Sequence, residues 1–407
     1  MAVSVVIGGG AAGLMAAAAC AARSKDTLVV EKMPVCAKKV CITGKGRCNV
    51  TNACFDLPEL ISNVPRNPRF LYSAFSNFMP YDTMSFFEDL GVPLKVERGN
   101  RVFPVSDHAK DIANALIKHA ADMGVRFIHT GAKAFAFDQD QISAVILSDG
   151  SRIECESVAL CTGGMSYPAT GSTGDGYALA KSAGHTVTDI TPALVSLKSN
   201  DDFVPELQGL SLRNVAVKLL KNGKAFYSDF GEMLFTHYGL SGPVILSASS
   251  HMDKPENGGY KIIIDLKPAL DYETLDKRIQ RDFAEFKNKD IINSLSKLLP
   301  KKLIPVAVSL WGVPNHKKVN EITREERKKL VHLLKNMEVN ISGFYSIDSA
   351  IITRGGVCVR EIDPKTMRSK IIKNLYFAGE IIDVDAYTGG FNLQIAFSTG
   401  RLCGENM

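Results

Sequence analysis

Residues 3–13 read VSVVIGGGAAG, an apolar run closed by Gly8, Gly10 and Gly13. Outward from it, an alanine-rich stretch continues to about Arg23, and a second apolar run, Leu28-Val29-Val30, ends in Glu31. The order is strand, glycine turn, helix, strand, acid, which is the spacing of a dinucleotide-binding βαβ unit. Gly8 allows the tight turn, Gly10 lets backbone approach a pyrophosphate, and Gly13 lets helix and strand pack closely. The helix start, at Ala11 and Ala12, offers free N–H donors and a partial positive charge to phosphates. Glu31 stands where a carboxylate accepts from a ribose 2′-OH and repels a 2′-phosphate.

Length and composition bound the rest. The chain has 407 residues, 45% apolar and 22% charged, as expected of a globular protein of two or three domains. Its formal net charge of +5 makes no case for a dedicated nucleic-acid binder. No apolar run approaches the roughly 20 residues that cross a bilayer. The N-terminal apolar segment lacks a basic leader and carries the glycine fingerprint, so it belongs to the fold and not to a signal peptide. A cytoplasmic location is expected. Nine cysteines include Cys36, Cys41, Cys48 and Cys54, without a CxxC pair. Reduced thiols and no metal site are expected.

Further along, residues 36–54 are rich in Gly, Lys, Thr and Asn and predict an extended loop. Residues 110–123 predict an amphipathic helix capped by Gly124. Ala132–Phe137 and Ile142–Leu147 predict a hairpin, Arg152–Glu156 its continuation, and Ser157–Cys161 a buried strand. From Leu194 to Leu266, short alternating strands with turns at Asn222-Gly223 and Asn257-Gly258-Gly259 predict a β-barrel or β-sandwich. From Asp271 to Met337 the pattern is helical and lysine-rich. The expected architecture is therefore α/β, a discontinuous Rossmann domain over 1–190 and 345–407. A β-barrel-like insertion over 191–268 and a helical insertion over 269–344 interrupt it.

Two further strands end in small residues, at Cys161-Thr162-Gly163-Gly164 and Phe377-Ala378-Gly379-Glu380. A single nucleotide needs one such turn; a long cofactor with adenosine at one end and a ring system at the other needs several. Thr162, Gly163, Gly379 and Glu380 thus join the candidate site, and FAD is favoured over NAD as the tightly bound species. A last helix opens at Gly389-Gly390-Phe391-Asn392-Leu393 and would aim donors near Asn392 and Leu393 at the negative charge of a reduced flavin. No second complete GxGxxG is present, so NAD(P)H would bind transiently as a reductant at the flavin face.

These motifs, with Thr43 to Asn52 (TGKGRCNVTN), Gly171 to Gly176 (GSTGDG), Leu234 to Pro243, Thr353 to Val357 (TRGGV), Thr366 to Lys370 and Phe377 to Gln394, resemble the YhiN-type (BaiN-like) flavoprotein family over almost the whole chain. The resemblance implies a glutathione-reductase-like FAD domain. It also implies an oxidoreductase, similar to bile-acid 4,6-diene reductases in some members and to aminoacetone oxidases in others. Carried over by motif, Glu31 and Lys32 would hold the adenosine ribose, Ala132 the adenine, and Ala11 and Ala12 the pyrophosphate. Arg47, Cys48 and Asn49 would reach the phosphate and ribityl region, Gly379 to Asp383 the ribityl chain, and Asn392 and Leu393 the isoalloxazine. Lys45 stands where the family often has glycine.

The expected reaction moves a hydride between flavin N5 and a small organic substrate. An NAD(P)H-fed reduction of an activated C=C bond stands first and an oxygen-dependent amine oxidation second. An RNA- or protein-binding flavoprotein is the alternative of another class. His237 and Tyr238 either donate the proton of such a reaction or shape a barrel turn before Gly239-Leu240-Ser241-Gly242-Pro243. Arg354 either binds an anionic group or forms a structural ion pair.

Overall fold

A computed structural model describes residues 3–23 and 25–407. It contains two compact units, Met1–Ala193 with Ser346–Met407, and Leu194–Tyr345.

The first unit is built on β1 (Val3–Ile7), α1 (Ala11–Ala21), β2 (Asp26–Val30), β3 (Arg126–Ile128), β4 (Ser157–Leu160), β5 (Leu375–Phe377) and α2 (Phe391–Asn406). The strands form one parallel sheet in the order β5-β4-β1-β2-β3. Val6 pairs with Val29 on one side and Ala159 on the other. β1 and β4 are buried along nearly their whole length, which explains why they read as continuous apolar runs. From β1 the chain builds outward through β2 to β3, then returns to the opposite side of β1 as β4. The carboxyl ends of β1 and β4 therefore flank a topological switch point, where open α/β sheets bind ligands.

Every residue of α1 is buried, which accounts for its alanines. α2 packs along it, and a Cβ on Gly400 or Gly404 would collide with the carbonyls of Ala12 or Ala16. Glycine sets that close approach. A three-stranded antiparallel sheet, Ala132–Asp138, Gln141–Leu147 and Arg152–Glu154, matches the expected meander. The helix Ala109–Asp122 ends before Gly124, whose φ of +86° makes the expected cap. Residues 36–54 differ from expectation: Lys38–Ile42 is helical and Thr43–Gly46 a 3₁₀ turn. Five residues with Val40 alone buried carry no readable period.

In the second unit, seven antiparallel strands close on themselves. Met337–Ile341 pairs with Tyr260–Asp265 at one edge, and Gly343–Phe344 pairs with Leu197–Lys198 at the other. Only Ser342 separates those two edge strands, so the sheet forms a barrel. The hairpin turn at Asn222-Gly223 has φ of +50° and +79°, the signature of a type I′ turn. The helices Tyr272–Glu285, Leu303–Trp311 and Arg324–Lys335 share one core with the barrel, joining Leu275, Trp311 and Leu330 to Val217, Ile262 and Val339. The β-barrel-like and helical insertions thus share one core. Each helix has an apolar stripe, and the barrel is what buries it. Among the described residues, no helix is long and apolar enough to cross a membrane.

Candidate cofactor site

At the switch point the first unit holds a cavity of about 1420 Å³ including its mouth. Gly8, Gly10, Ala11 and Ala12 line it after β1, Cys161 to Gly163 after β4, and Gly379 and Glu380 after β5. Glu31 and Lys32 line it after β2, with Gly131 and Ala132 beyond them. Asn392 and Leu393, at the start of α2, line it as well.

Each glycine of the first turn has a different task. A Cβ on Gly8, at φ +104°, would run into the Cys161 carbonyl, and one on Gly13 would overlap the Gly8 carbonyl. Both are packing positions between β1, α1 and β4. A Cβ on Gly10 would meet no protein atom within 4 Å, because it would project into open space. Gly10 is also the cap of α1 without any side-chain cap, so the first N–H groups of the helix have no internal partner.

The Glu31 carboxylate is oriented by backbone. The Gly9 N–H donates to Oε2 at 2.7 Å and the Met33 N–H to Oε1 at 2.8 Å. Lys32 Nζ meets Asp175 Oδ2 at 2.6 Å and the Thr173 hydroxyl. Lys39 Nζ reaches Glu380 Oε2 and Ser166 Oγ, both at 2.7 Å, while the Thr353 N–H donates to Glu380 Oε1 at 2.8 Å. At α2, Asn392 donates to the Ala386 carbonyl at 2.8 Å and accepts from its N–H at 2.9 Å. The side chain thus secures the loop that precedes the helix.

A dinucleotide fits these residues. The space beyond Gly10 is where a pyrophosphate would approach backbone. Thr162 lines the cavity, and its Oγ1 is buried without a hydrogen-bond partner. Two helix N-termini supply positive ends to an elongated anion.

A protein-family model described as HI0933-like protein Rossmann domain matches residues 2–406. The chain belongs to this family. A 3-dehydro-bile acid delta(4,6)-reductase of Clostridium scindens is 32% identical over 404 residues, covering 98% of this chain and 97% of the relative. The ribosomal RNA dihydrouridine synthase of Escherichia coli is 28% identical over 407 residues, covering 99% and 97%. Among solved structures, the 3-ketosteroid delta1-dehydrogenase of Sterolibacterium denitrificans shares the fold, with a TM-score of 0.53 at 13% identity and 99% coverage of each chain. Family membership bears out the resemblance to YhiN-type flavoproteins and the reading of the chain as an oxidoreductase.

The cavity wall gathers thirteen of the residues expected at the cofactor: Gly8, Gly10, Ala11, Ala12, Glu31, Lys32, Ala132, Thr162, Gly163, Gly379, Glu380, Asn392 and Leu393. Gly13, Arg47, Cys48, Asn49 and Asp383 are not on it. Arg47 is drawn instead to Glu97 at 2.5 Å and Asp107 at 2.6 Å, and lies 4.2 Å over the Phe103 ring. A guanidinium satisfied by two carboxylates is not waiting for a phosphate. Asp383 turns to Arg66 and Asn67. Cys48 is fully buried, and burial pushes its thiol up to about 12. Burial, with Glu31 beside it, pushes Cys36 up to about 11. All nine cysteines are free, and these two are poor nucleophiles.

Sequence reasoning left Lys39, Ser172 and Thr353 out of the site, although the GSTGDG and TRGGV motifs pointed at the last two. In the second unit, His237 and Tyr238 form the turn between Lys224–Thr236 and Gly239–Ser241. Tyr238 stacks on Tyr345 at 3.9 Å, His237 packs edge-on against Tyr238, and the Tyr238 carbonyl accepts from the Ser199 N–H.

Proposed function

We propose that the chain binds FAD in this cavity and reduces a carbon–carbon double bond conjugated to a carbonyl. Glu31 and Lys32 would hold the adenosine ribose, Ala132 the adenine, and the N–H groups of Ala11 and Ala12 the pyrophosphate. Gly379 and Glu380 would lie along the ribityl chain, with the start of α2 at the ring system. FAD, when bound, supplies a two-electron hydride carrier at N5. The protein orients it, and the α2 N-terminus favours negative charge at the nearby ring edge. The Lys39–Glu380 pair fixes the cavity floor through Ser166 and Thr353.

The observation that carries the reading is the convergence of three glycine-ended strands on one cavity in a chain of this family. The names of two relatives point the same way. A delta(4,6)-reductase and a dihydrouridine synthase both saturate a double bond conjugated to a carbonyl, in a sterol-like ring and in a uracil. NAD(P)H is the proposed electron source, bound transiently.

A second reading places the double bond in RNA. It is supported by the dihydrouridine synthase relatives and by charge: residues 194–345 hold 23 Lys and Arg against 18 Asp and Glu, so the whole net excess of +5 lies in the second unit. Anaerobic stopped-flow tests both. NADH or NADPH is expected to bleach the flavin, and a 4,6-dien-3-one or a uridine-containing RNA to restore its colour. Failure of both nucleotides to bleach it, with bleaching by a primary amine and peroxide formed in air, would establish the oxidase alternative.

A further inference from the structure

Resting on the reading that FAD occupies the cavity, we propose that Lys39 is a positioning residue that controls cofactor affinity through Glu380. Its ammonium cancels the charge of a wall carboxylate that would otherwise repel the cofactor's pyrophosphate.

Three acids line the cavity: Glu31, Asp175 and Glu380. The turn that carries Glu380 abuts the start of α1, since a Cβ on Gly379 would stand 2.7 Å from the Ala12 Cβ. The free N–H groups of that helix are the proposed seat of the pyrophosphate. A bare carboxylate in the neighbouring turn would oppose an anion there. Glu380 is not bare. Its Oε2 accepts from Lys39 Nζ at 2.7 Å, and its Oε1 accepts from the Thr353 N–H at 2.8 Å and the Ser166 hydroxyl at 3.2 Å. Of these three donors, Lys39 alone brings a charge.

Buried groups hold the pair in place. Ser166 and Thr353 are both buried, and the Thr353 hydroxyl accepts from the Met165 N–H at 2.7 Å and the Ser166 N–H at 3.1 Å. The network requires glycine at position 164, because a Cβ there would stand 2.3 Å from Thr353 Oγ1 and 3.1 Å from Glu380 Oε1. Lys39 Nζ also donates to Ser166 Oγ at 2.7 Å, so two of its three donors are used inside the wall. Lys39 belongs to the short helix Lys38–Ile42 after β2, and Glu380 follows β5. In the sheet, β1 and β4 lie between those two strands, so the pair links separate segments of the wall. The side chains of Lys39 and Glu380 are 25% and 21% exposed, so solvent screens the pair only in part and the loss of one charge is felt in the cavity.

A double-mutant cycle on the apoprotein, titrated with FAD and followed by flavin fluorescence, tests the assignment. Lys39→Met uncovers the carboxylate's charge and should weaken FAD binding about 10-fold or more, with a deficit that shrinks as salt is raised. Lys39→Arg keeps the charge and should lose far less. Lys39→Met combined with Glu380→Gln removes both charges and should recover most of the loss. An equal loss in the double variant would mean that Lys39 contacts the cofactor itself, which overturns the assignment. Lys39→Met binding FAD at wild-type affinity overturns it too. Should Lys39→Met fail to fold, Glu380→Gln alone decides. That variant leaves the ammonium uncancelled and should bind FAD as tightly as the wild type or more tightly, whereas weaker binding overturns the assignment. If the wild-type apoprotein binds no FAD, the underlying reading fails and takes this assignment with it.

Discussion

The Glu31 carboxylate accepts the Gly9 N–H at 2.7 Å, so the acid at the end of β2 is tied to the glycine turn at the end of β1. Two segments 22 residues apart are thereby held in one arrangement, with the acid already aimed at the cavity. Replacing it with Glu31→Ala removes the acceptor proposed for the adenosine ribose and a brace for the turn. Apoprotein titrated with FAD should show affinity lowered about 10-fold or more, the worth of one or two charge-assisted hydrogen bonds. Unchanged affinity would remove Glu31 from the site.

Gly10 and Gly13 should separate binding from folding. Gly10→Ala places a methyl group in open space, so thermal stability should hold while FAD affinity falls. Gly13→Ala forces a Cβ into the Gly8 carbonyl and should lower the melting temperature of the apoprotein itself. Equal effects of both variants on the apoprotein melt would contradict this division.

Lys45 has φ +59° and an exposed side chain. A left-handed non-glycine residue costs about 1–2 kcal/mol, partly offset by the greater chain entropy of glycine when unfolded. Lys45→Gly should raise stability in urea by up to about 1 kcal/mol without changing the m-value. A loss of stability would show that the lysine makes a compensating contact.

His185 sits inside the first unit, with Nε2 2.7 Å from the Ser369 hydroxyl and Nδ1 3.1 Å from Glu361. Burial holds its pKa below the ordinary 6.5, with Glu361 opposing. The unfolded chain therefore binds the proton more readily than the fold. Stability from this group is present above about pH 6.5 and is lost as pH falls below that value. Melting temperatures measured between pH 7.5 and 5 should fall less steeply for His185→Gln than for the wild type. Parallel slopes would place the acid sensitivity elsewhere, His119 being the other histidine that burial holds low.

The sequence was most legible where backbone geometry dictates residue type. Glu31 could be read because the dinucleotide-binding spacing calls for an acid at the end of β2, and Gly8, Gly13 and the glycine ends of β4 and β5 because a Cβ would not fit there. The Asn222-Gly223 turn was legible for the same reason. Arg47 misled because a basic residue in a glycine-rich loop suits phosphate in isolation; its carboxylate partners, Glu97 and Asp107, are 50 and 60 residues away. The unity of the second unit was hidden likewise. Closure of the barrel by Met337–Ile341 and Gly343–Phe344 is a pairing with strands far back in the chain.

The central claim is that the cavity between β1, β4 and β5 holds FAD. Titrating the apoprotein with FAD while following the visible spectrum and flavin fluorescence tests it most directly. One FAD should bind per chain, with quenched fluorescence, and Gly10→Ala should weaken that binding without unfolding the protein. A protein that stays colourless through the titration, or that binds FAD equally well with Gly10 replaced, would contradict it.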